Sequence, residues 1–432
     1  MHKTFRALIG FALLCLTHEA AAQNIGNSPY SRYGLGEIND NTGSIRNAGM
    51  AGAGISAGNS YQANTANPAL LYYNSITLFD IGIRGQVKTI KNANQSQRDG
   101  DANLANVTLV VPVSKRWSSG LTLRPFSAVD YQITDNGAIG GRPSVIVQKQ
   151  YEGEGGISEL NFAHGIRITP GLTVGASASY LFGTITKESS SLVQDTDLSG
   201  LNLERVVYSE RTRYSDLLFK AGINYRKELK EKLNMSAGGV YTFGTELNGK
   251  RTSSYERRTI YDDIKDENIM PDTLKGNVTL PASWQAGISL DNGSNLTVAA
   301  DVAMQQWSKF ENFNRGNETE LADSYKVSVG AEWTPDANSV NSYFKRVTYR
   351  GGVYLGNTPY KLNGEQIKDK GVTAGFSFPI GRSTIYDLYQ LNASIGYGHR
   401  GTTDNGLIAE DYFKFNIGFT INSRWFVKRR ID

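Results

Sequence analysis

Two short stretches of the sequence have residue types that could do covalent chemistry. Gly54–Gly58, GISAG, has the spelling of a nucleophile elbow, in which Ser56 would attack a carbonyl from a turn between a strand and a helix. Gly244–Arg251, GTELNGKR, is close to a phosphate-binding loop but lacks the Ser or Thr that should follow Lys250. Neither stretch lies between a predicted strand and a predicted helix. We therefore predict no catalytic residue and interpret Gly244–Arg251 as the base of an extracellular loop.

Metal and acid–base chemistry have few candidate residues. After residue 22 the only histidines are His164 and His399, and there is no cysteine. A metal centre or a catalytic triad needs several groups that converge, and no spacing in the sequence supplies them. The charged stretch Tyr255–Glu267 is interpreted as a solvated loop, with a receptor or calcium role as the alternative. We predict a protein that is not an enzyme and that binds no metal and no cofactor.

The first 22 residues have the pattern of a secretory signal peptide. Lys3 and Arg6 precede the apolar stretch Ala7–Thr17, and the small residues Ala20–Ala22 offer a cleavage site. The single cysteine of the sequence lies within this stretch. We therefore predict a mature chain that begins at residue 23 and has neither a disulfide nor a thiolate ligand.

Charge and hydropathy narrow the class of protein. Residues 23–432 carry 43 of the 45 basic and 40 of the 41 acidic residues, a net charge of +3 that does not support a nucleic-acid partner. No stretch after residue 22 approaches the roughly 18 consecutive apolar residues of a membrane-spanning helix. The mean hydropathy of −0.37 fits a soluble protein, and it fits equally a membrane β-barrel whose strands have one polar face.

Apolar and polar residues alternate with a period of two along most of the chain. In the last such segment Phe413, Phe415 and Ile417 alternate with Lys414 and Asn416. This pattern is typical of strands that have one face in an apolar medium and the other in a polar one. About fourteen segments show it, and each reaches the roughly ten residues that a tilted strand needs to cross an outer membrane. The predicted strands are residues 75–88, 103–116, 119–134, 157–169, 171–187, 211–226, 232–247, 277–290, 294–309, 323–334, 344–358, 369–381, 386–400 and 409–423.

The connections between these strands alternate in length along most of the chain. Long polar stretches such as Glu188–Glu210 and Asn248–Gly276 follow odd-numbered strands. Short turns follow even-numbered strands, at Trp117-Ser118, Pro170, Lys227–Glu231 and Asp291–Gly293. Outer-membrane barrels have long loops outside and short turns in the periplasm. We therefore predict an all-β fold, a closed antiparallel transmembrane β-barrel of about fourteen strands in residues 75–432, in the outer membrane of a Gram-negative cell with both termini periplasmic.

Tryptophans stand at the ends of predicted strands. Trp117, Trp307, Trp333 and Trp425 occupy such positions. Outer-membrane barrels place girdles of aromatic residues at both membrane interfaces, and ordinary strand-end aromatics are the alternative. The residues after Trp425 are predicted to form a short basic tail outside the last strand.

Residues 23–74, here called the N-terminal segment, lack the alternation and are rich in glycine. Glycine lets the backbone pass close to other backbone, and Pro68 favours an extended Asn67. The apolar residues Leu70–Tyr73 could pack such a segment against a wall. We predict that this segment folds into the lumen as a plug, or hatch. A flexible periplasmic leader is the alternative.

Several runs of residues resemble the FadL family of long-chain fatty-acid transporters. GLGEINDNTGSIRNAGMAGAGISAG and the later NPALLYYNSITLFDIGIR are similar to the family's N-terminal hatch and first strand. VTLVVPVSKRWSSGLTLRPF is similar to its second and third strands, and VTLPASWQAGISL followed by MQQWSKF to two later ones. The resemblance covers nearly the whole of residues 23–432. It implies a fourteen-stranded barrel whose lumen is blocked by the hatch.

The resemblance implies passive, hatch-gated uptake of hydrophobic molecules such as long-chain fatty acids, with outer-membrane lipid around the barrel. In that family a kink in the third strand opens the wall sideways, and Pro125 lies in the third predicted strand; a harmless bulge is the alternative. The residues assigned to hatch movement are Gly49, Gly52, Gly54, Asn67, Pro68, Ala69 and Leu70.

Some residues depart from the family pattern and leave the ligand open. Ala57–Ser60 stand where these transporters often have acidic residues, and the run NSPYSRYGLGEINDNTG is more polar than the front of a typical hatch. The alternative function is therefore a FadL-like barrel that transports nothing and acts as a subunit of an outer-membrane secretion or assembly complex, with secretion-system proteins as partners.

Overall fold

The computed structural model of the chain describes residues 28–39, 43–139, 142–195, 204–313, 320–381 and 388–423. The predicted signal peptide, residues 1–22, lies outside the described residues, and so do Trp425 and the predicted basic tail. Fourteen spanning strands form one closed antiparallel barrel, as the alternation predicts.

The spanning strands have the following bounds, and the seventh and eighth are each interrupted by two residues. They are β1 Thr77–Lys91, β2 Ser96–Ser114, β3 Trp117–Ile139, β4 Arg142–Thr169, β5 Leu172–Asp195, β6 Glu204–Lys230, β7 Leu233–Thr242 with Thr245–Thr259, β8 Ile264–Leu280 with Ser283–Asp291, β9 Leu296–Gln305, β10 Ser324–Trp333, β11 Thr348–Leu362, β12 Glu365–Gly381, β13 Leu388–Gly401 and β14 Ala409–Ser423.

Pairing between the last and the first strand closes the sheet. β14 pairs with β1 from Ala409 opposite Lys91 to Ser423 opposite Thr77. The remaining elements are two α-helices, α1 Ile45–Gly49 and α2 Tyr343–Arg346, the 3₁₀ helices Pro29–Arg32, Pro68–Tyr73, Trp307–Lys309 and Asp404–Gly406, and the short strands Glu37–Ile38 and Glu311–Asn312. No helix among the described residues is both long and apolar enough to cross a membrane.

The two faces of the barrel have the opposite character that the alternation predicts. In β14, Phe413 and Ile417 are 60% and 56% exposed on the outer face, whereas Asn416 and Thr420 are buried toward the lumen. In β5, Tyr180 and Phe182 face outward while Thr173 and Ser179 are buried. An apolar outer face and a polar inner face are what lipid outside and polar groups inside require.

The long outer loops predicted at Glu188–Glu210 and Asn248–Gly276 are wrong for most of their residues. β5 continues to Asp195, and β6 begins at Glu204. The stretch Thr245–Leu280 is strand except for a short turn at residues 260–263. Gly244–Arg251 likewise enters a strand and is not a loop. These parts of the strands carry polar residues on both faces, so they show no alternation from which a strand could be predicted.

Two predicted strands are too long at one end. The ninth ends at Gln305, because Trp307 turns inward and is only 4% exposed beside Phe310. The eleventh begins at Thr348, after α2. Trp117 and Trp333 lie on the outer face as a girdle requires, 37% and 48% exposed, but the girdle position predicted for Trp307 is wrong.

Candidate functional site

The described part of the N-terminal segment, residues 28–39 and 43–74, lies inside the barrel. Its 3₁₀ helix Pro68–Tyr73 contacts β3, β4, β5 and β6, and α1 contacts β11, β12, β13 and β14. Met50, Ala53 and Ala69 are fully buried. Opposite sides of the wall therefore contact opposite ends of residues 43–74.

Asparagine side chains organise this irregular backbone. Asn67 accepts a hydrogen bond from the Ala69 amide at 3.0 Å, which caps the 3₁₀ helix. The amide group of Asn67 also donates to the carbonyls of Ile55 at 2.9 Å and of Ile223 in β6 at 3.1 Å. One side chain thus ties the helix, the preceding loop and the barrel wall together.

Glycines on the inner face of the wall lie directly against the N-terminal segment. A Cβ atom would lie 2.2 Å from Oδ1 of Asn67 if added at Gly222, and 2.3 Å from the backbone nitrogen of Ala69 if added at Gly175. These residues come from ten strands and are here called the wall glycines. They are Gly82, Gly165, Gly175, Gly222, Gly238, Gly287, Gly330, Gly352, Gly375 and Gly418.

Strand register places many wall glycines side by side. Gly165 lies opposite Gly175, which lies opposite Gly222, and across the lumen Gly330 lies opposite Gly352. Glycine weakens a strand interior and often marks a site where another backbone approaches closely. The wall glycines therefore form a belt shaped to the N-terminal segment, with no room for a side chain between the two.

A buried ion-pair network joins α1 to two strands. Arg46 donates to both carboxylate oxygens of Glu332 in β10, at 2.9 and 3.1 Å, and Arg350 in β11 donates to the same carboxylate at 2.6 Å. Arg350 also donates to Oε1 of Gln62 at 3.0 Å. The side chains of Arg46, Glu332 and Arg350 are only 1%, 10% and 3% exposed. Paired and hydrogen-bonded in this way, the charges hold α1 to the wall.

A second anchor holds the loop that contains Gly54. Oδ2 of Asp301 in β9 accepts from the amides of Gly54 at 2.6 Å and Ile55 at 2.8 Å. The other carboxylate oxygen of Asp301 is buried without a hydrogen-bond partner among the described residues. Gly54 has a φ of +120°, a conformation that favours glycine, so this contact depends on the residue type.

The wall is interrupted beside Pro125. β2 and β3 pair only as far as Val107 opposite Leu123, and the register of β3 against β4 shifts between Pro125 and Ser127. From there to Asp130, β3 has no hydrogen-bonded partner in β2. This free edge of β3, residues 125–130, is here called the wall gap.

The first described residues of the N-terminal segment, 28–39, occupy the wall gap. Glu37 and Ile38 pair with Ala128 and Ser127 in the manner of an added strand. The Asn39 amide donates to the carbonyl of Phe126 at 2.9 Å. Further along the edge, the Ser28 amide donates to the Asp130 carbonyl at 2.9 Å, and the Asp130 amide donates to Oγ of Ser31 at 3.1 Å. Within residues 125–130, backbone groups left by β2 thus bond to the chain's own N-terminal residues.

Two cavities of about 160 and 200 Å³ adjoin the wall gap, and both have charged walls. The first is lined by Glu37, Lys88, Asp101, Asp130 and Lys414 among others. The second is lined by Arg124, Glu159, Lys220, Asp369 and Arg400 among others. Sites for small organic ligands are typically larger, at roughly 300–1,000 Å³, and mostly apolar. Both cavities are smaller than such sites and combine charged with apolar lining residues.

Ion pairs bridge the cavities. Glu37 contacts Arg400 at 2.9 Å and Lys88 at 3.2 Å. Burial would raise the pKa of Glu37, but the nearby positive charges of Arg400 and Lys88 hold that pKa well below its usual range. The carboxylate is therefore charged at neutral pH, and residue 37 is held to β1 and β13 as well as to β3.

A packed apolar cluster also occupies the lumen, beside the second cavity. Trp307, Phe310 and Phe313, from the connection between β9 and β10, are at most 5% exposed and pack with Tyr30 and Leu35. The lumen is therefore occupied at two levels in the described structure, by this cluster and by residues 43–74.

The residues proposed for hatch movement all lie at the wall. Gly49 contacts Gly375, Gly54 binds Asp301, and Asn67–Leu70 contact β4, β5 and β6. Gly52 has a φ of +87°, and a Cβ atom added there would lie 3.8 Å from Nζ of Lys326. Their role in movement stays a prediction, and so does the role of Pro125. Sequence reasoning missed the wall glycines, Arg46, Glu332, Arg350 and Asp301.

The residues considered for chemistry lie apart from one another. Ser56 is buried in a loop that neither follows a strand nor precedes a helix. His164 faces outward, where Nε1 of Trp117 donates to it at 3.2 Å and Phe162 packs edge-on, so it belongs to the aromatic residues near the short turns. His399 contacts Asp411 at 2.8 Å. Among the described residues no group of three or more His, Cys, Asp or Glu is placed to hold a metal ion.

Comparisons with known proteins identify both a family and a fold. A family model described as BamG matches residues 1–432. No curated protein matches. The structure is similar to the monoaromatic hydrocarbon channel CymD, with a TM-score of 0.57 and 17% identity over 90% of this chain and 100% of that one.

Two further solved structures share the fold. A FadL homologue of Pseudomonas aeruginosa has a TM-score of 0.59 and 12% identity over 88% of this chain and 98% of that one. The toluene transporter TodX of P. putida has a TM-score of 0.58 and 15% identity over 90% and 100%. The resemblance to the FadL family is thus confirmed in the fold, which is that of outer-membrane barrels named as channels for hydrophobic compounds.

Proposed function

The chain belongs to the BamG family, and on that premise we propose that it is a closed outer-membrane barrel that acts as a subunit of an outer-membrane secretion or assembly complex. The short turns and the start of β1 share one end of the barrel, and we place that end in the periplasm. The N-terminal segment serves as a permanent plug. No covalent step is involved.

One observation carries this proposal, the fit between the wall glycines and residues 43–74. At six of the ten wall glycines the nearest atom of the N-terminal segment is a backbone atom, so the segment cannot slide without clashes against several strands at once. Withdrawal would also separate Arg46 from Glu332, a buried ion pair at 2.9 Å, and leave Arg350 as the remaining partner of that carboxylate. A plug fixed in this way suits a structural subunit.

The chemistry of the cavities supports the same conclusion. A hydrophobic compound gains affinity by burial against apolar side chains, whereas Lys88, Glu37, Asp369 and Arg400 line these cavities. Moving an apolar ligand past those groups would require it to displace their hydrogen-bond and ion-pair partners.

The second candidate is uptake of hydrophobic molecules with lateral exit, and the wall gap favours it. Release of residues 28–39 from β3 would leave the edge at Pro125 open toward the membrane. Gly49, Gly52, Gly54 and Asn67–Leu70 would then carry the hatch movement. Long-chain fatty acids are the proposed substrates. The fold shared with the named hydrocarbon and toluene channels supports this candidate.

Purification and transport measurements separate the two candidates. The tagged full chain is extracted from outer membranes in mild detergent and sized by native electrophoresis, and uptake of toluene and of a long-chain fatty acid is measured in a deletion strain. We expect partner proteins in fixed stoichiometry and unchanged uptake. A chain that migrates alone, together with uptake that is lost on deletion and restored by the gene, would contradict the proposal and support the second candidate.

Orientation has its own test. An epitope inserted at the Asn363-Gly364 turn between β11 and β12 should be labelled by antibody on intact cells, because this turn lies at the end opposite to the short turns. Labelling only after the outer membrane is permeabilised would show that the orientation is reversed.

A further inference from the structure

A row of positive charges lies on the outer face of the barrel. Arg211 and Arg213 of β6, Lys250 of β7 and Lys275 of β8 are all exposed. We call these four residues the basic row. They lie outside the lumen and take no part in the contacts of the N-terminal segment.

The side chains of the basic row point away from the lumen, as the residues beside them in each strand show. Thr212 and Tyr214, on either side of Arg213, are buried toward the lumen. In β7, Gly249 contacts Phe313 of the apolar cluster, so Lys250 has the opposite direction. Val278 is fully buried in the same cluster, and Lys275, three residues away, is on the other face.

Register brings the charges directly beside one another. Arg213 lies opposite Lys250, and Lys250 lies opposite Lys275. Side chains in such positions have Cβ atoms roughly 4.5–5.5 Å apart, and like charges there destabilise the pairing. Three cations in line across three strands therefore favour an anion bound over them.

The protein itself does not provide that anion. No carboxylate among the described residues forms an ion pair with the basic row. The acidic residues nearby are paired with other cations, Glu210 with Arg251, Glu256 with Arg258 and Asp266 with Arg257. The basic row is thus free to bind an external anion.

The height of the basic row relative to the apolar band indicates where that anion lies. Leu217 and Phe219 of β6 are 46% and 52% exposed on the outer face and belong to the apolar band. Arg213 lies four residues beyond Leu217, about 13 Å along the strand at roughly 3.3 Å per residue. In the proposed orientation this is the headgroup region of the outer leaflet.

We propose that the basic row binds the phosphates of a phosphorylated glycolipid of the outer leaflet, with its acyl chains against Leu217 and Phe219. Two neighbouring phosphates match cations on adjacent strands, and Arg213 can bind a phosphate with two parallel hydrogen bonds. This inference rests on the proposed orientation of the barrel and does not depend on whether the plug moves.

Native mass spectrometry of the full chain in detergent tests the proposal. The probes are diphosphoryl lipid A, lipid A freed of its phosphates, and phosphatidylglycerol. We expect the wild-type protein to retain diphosphoryl lipid A most strongly. The triple variant Arg213→Gln, Lys250→Gln, Lys275→Gln should bind it roughly tenfold more weakly, since three exposed charge pairs are lost.

A matched variant has the same loss of charge at the other end of the same strands. Lys227→Gln, Lys230→Gln, Lys232→Gln changes three exposed lysines at the turn between β6 and β7 and should bind diphosphoryl lipid A like the wild type. Equal binding of phosphate-free lipid A or of phosphatidylglycerol by the wild-type protein would overturn the proposal, and this result requires no variant to fold. Epitope labelling at the Asn363-Gly364 turn separates this failure from a wrong orientation.

Discussion

Residues 43–74 and residues 28–39 both contact the inner wall, but through different kinds of contact. Residues 43–74 pack backbone against the wall glycines and place the Arg46 guanidinium on Glu332. Residues 28–39 instead complete the free edge of β3 with backbone hydrogen bonds. The first kind of contact cannot be released in steps, whereas the second resembles the end of a strand, which can separate one hydrogen bond at a time. Residues 28–39 are additionally held by the ion pairs of Glu37 and by the burial of Tyr30 and Leu35, so opening of the wall gap would break these contacts as well.

The largest expected loss of stability follows from removing the wall carboxylate that binds Arg46 of residues 43–74. Glu332→Gln leaves Arg46 and Arg350 buried without their carboxylate and should destabilise the barrel by about 3–5 kcal/mol. Urea unfolding in detergent measures it. Glu228→Gln, an exposed change at a short turn, is the control. A loss as small as that of the control would show that the network does not hold α1.

The wall glycines offer a test with neighbouring residues. A Cβ at Gly352 would lie 2.5 Å from the backbone of Met50, whereas the nearest atom at Gly351 is 3.9 Å away. Gly352→Ala should cost roughly 1–3 kcal/mol through overpacking, and Gly351→Ala should have little effect. Thermal unfolding and hydrogen exchange of residues 45–57 measure both. Equal stability of the two variants would remove the argument for a fixed plug.

A smaller effect is expected at the wall gap. Ser31→Ala removes the acceptor of the Asp130 amide and should raise hydrogen exchange at residues 127–131, with a loss of about 1–3 kcal/mol in local stability. Exchange at residues 45–57 should not change. The control is Ser294→Ala at the short turn between β8 and β9. Faster exchange in both regions together would mean that residues 28–74 move as one unit.

The smallest effect is expected for an ion pair outside the membrane. Asp262 contacts Arg258 at 3.2 Å, but its side chain is 57% exposed. Burial raises the pKa of Asp262, but the adjacent Arg205 and Arg258 together lower it by more, so the pKa lies below its ordinary value of 3.8. The stabilisation is present above pH 3.8 and is lost as the pH falls through that lowered pKa. Asp262→Asn should cost under about 1 kcal/mol at pH 7, by urea unfolding, and a larger loss would contradict the contrast with Glu332.

The spanning strands could be predicted from sequence because lipid outside and polar groups inside impose a period of two. The strand extensions beyond the membrane could not, because residues such as Thr252 and Ser253 carry polar groups on both faces. Arg46 and Glu332 are 286 residues apart, and no local pattern predicts their pairing. The wall glycines were visible as glycines at lumen-facing positions, and that signal could have located the contact with the N-terminal segment.

A disulfide across the wall gap tests the central claim most directly. Ile38 and Ser127 lie opposite each other in an antiparallel pair, within the Cα separation that a disulfide bridges. The variant Ile38→Cys, Ser127→Cys is oxidised in cells, and complex formation and hydrophobic uptake are compared before and after reduction. We predict that the locked barrel keeps its partners and that neither quantity changes. Uptake that stops on oxidation and returns on reduction, with each single variant unaffected, would contradict the closed barrel.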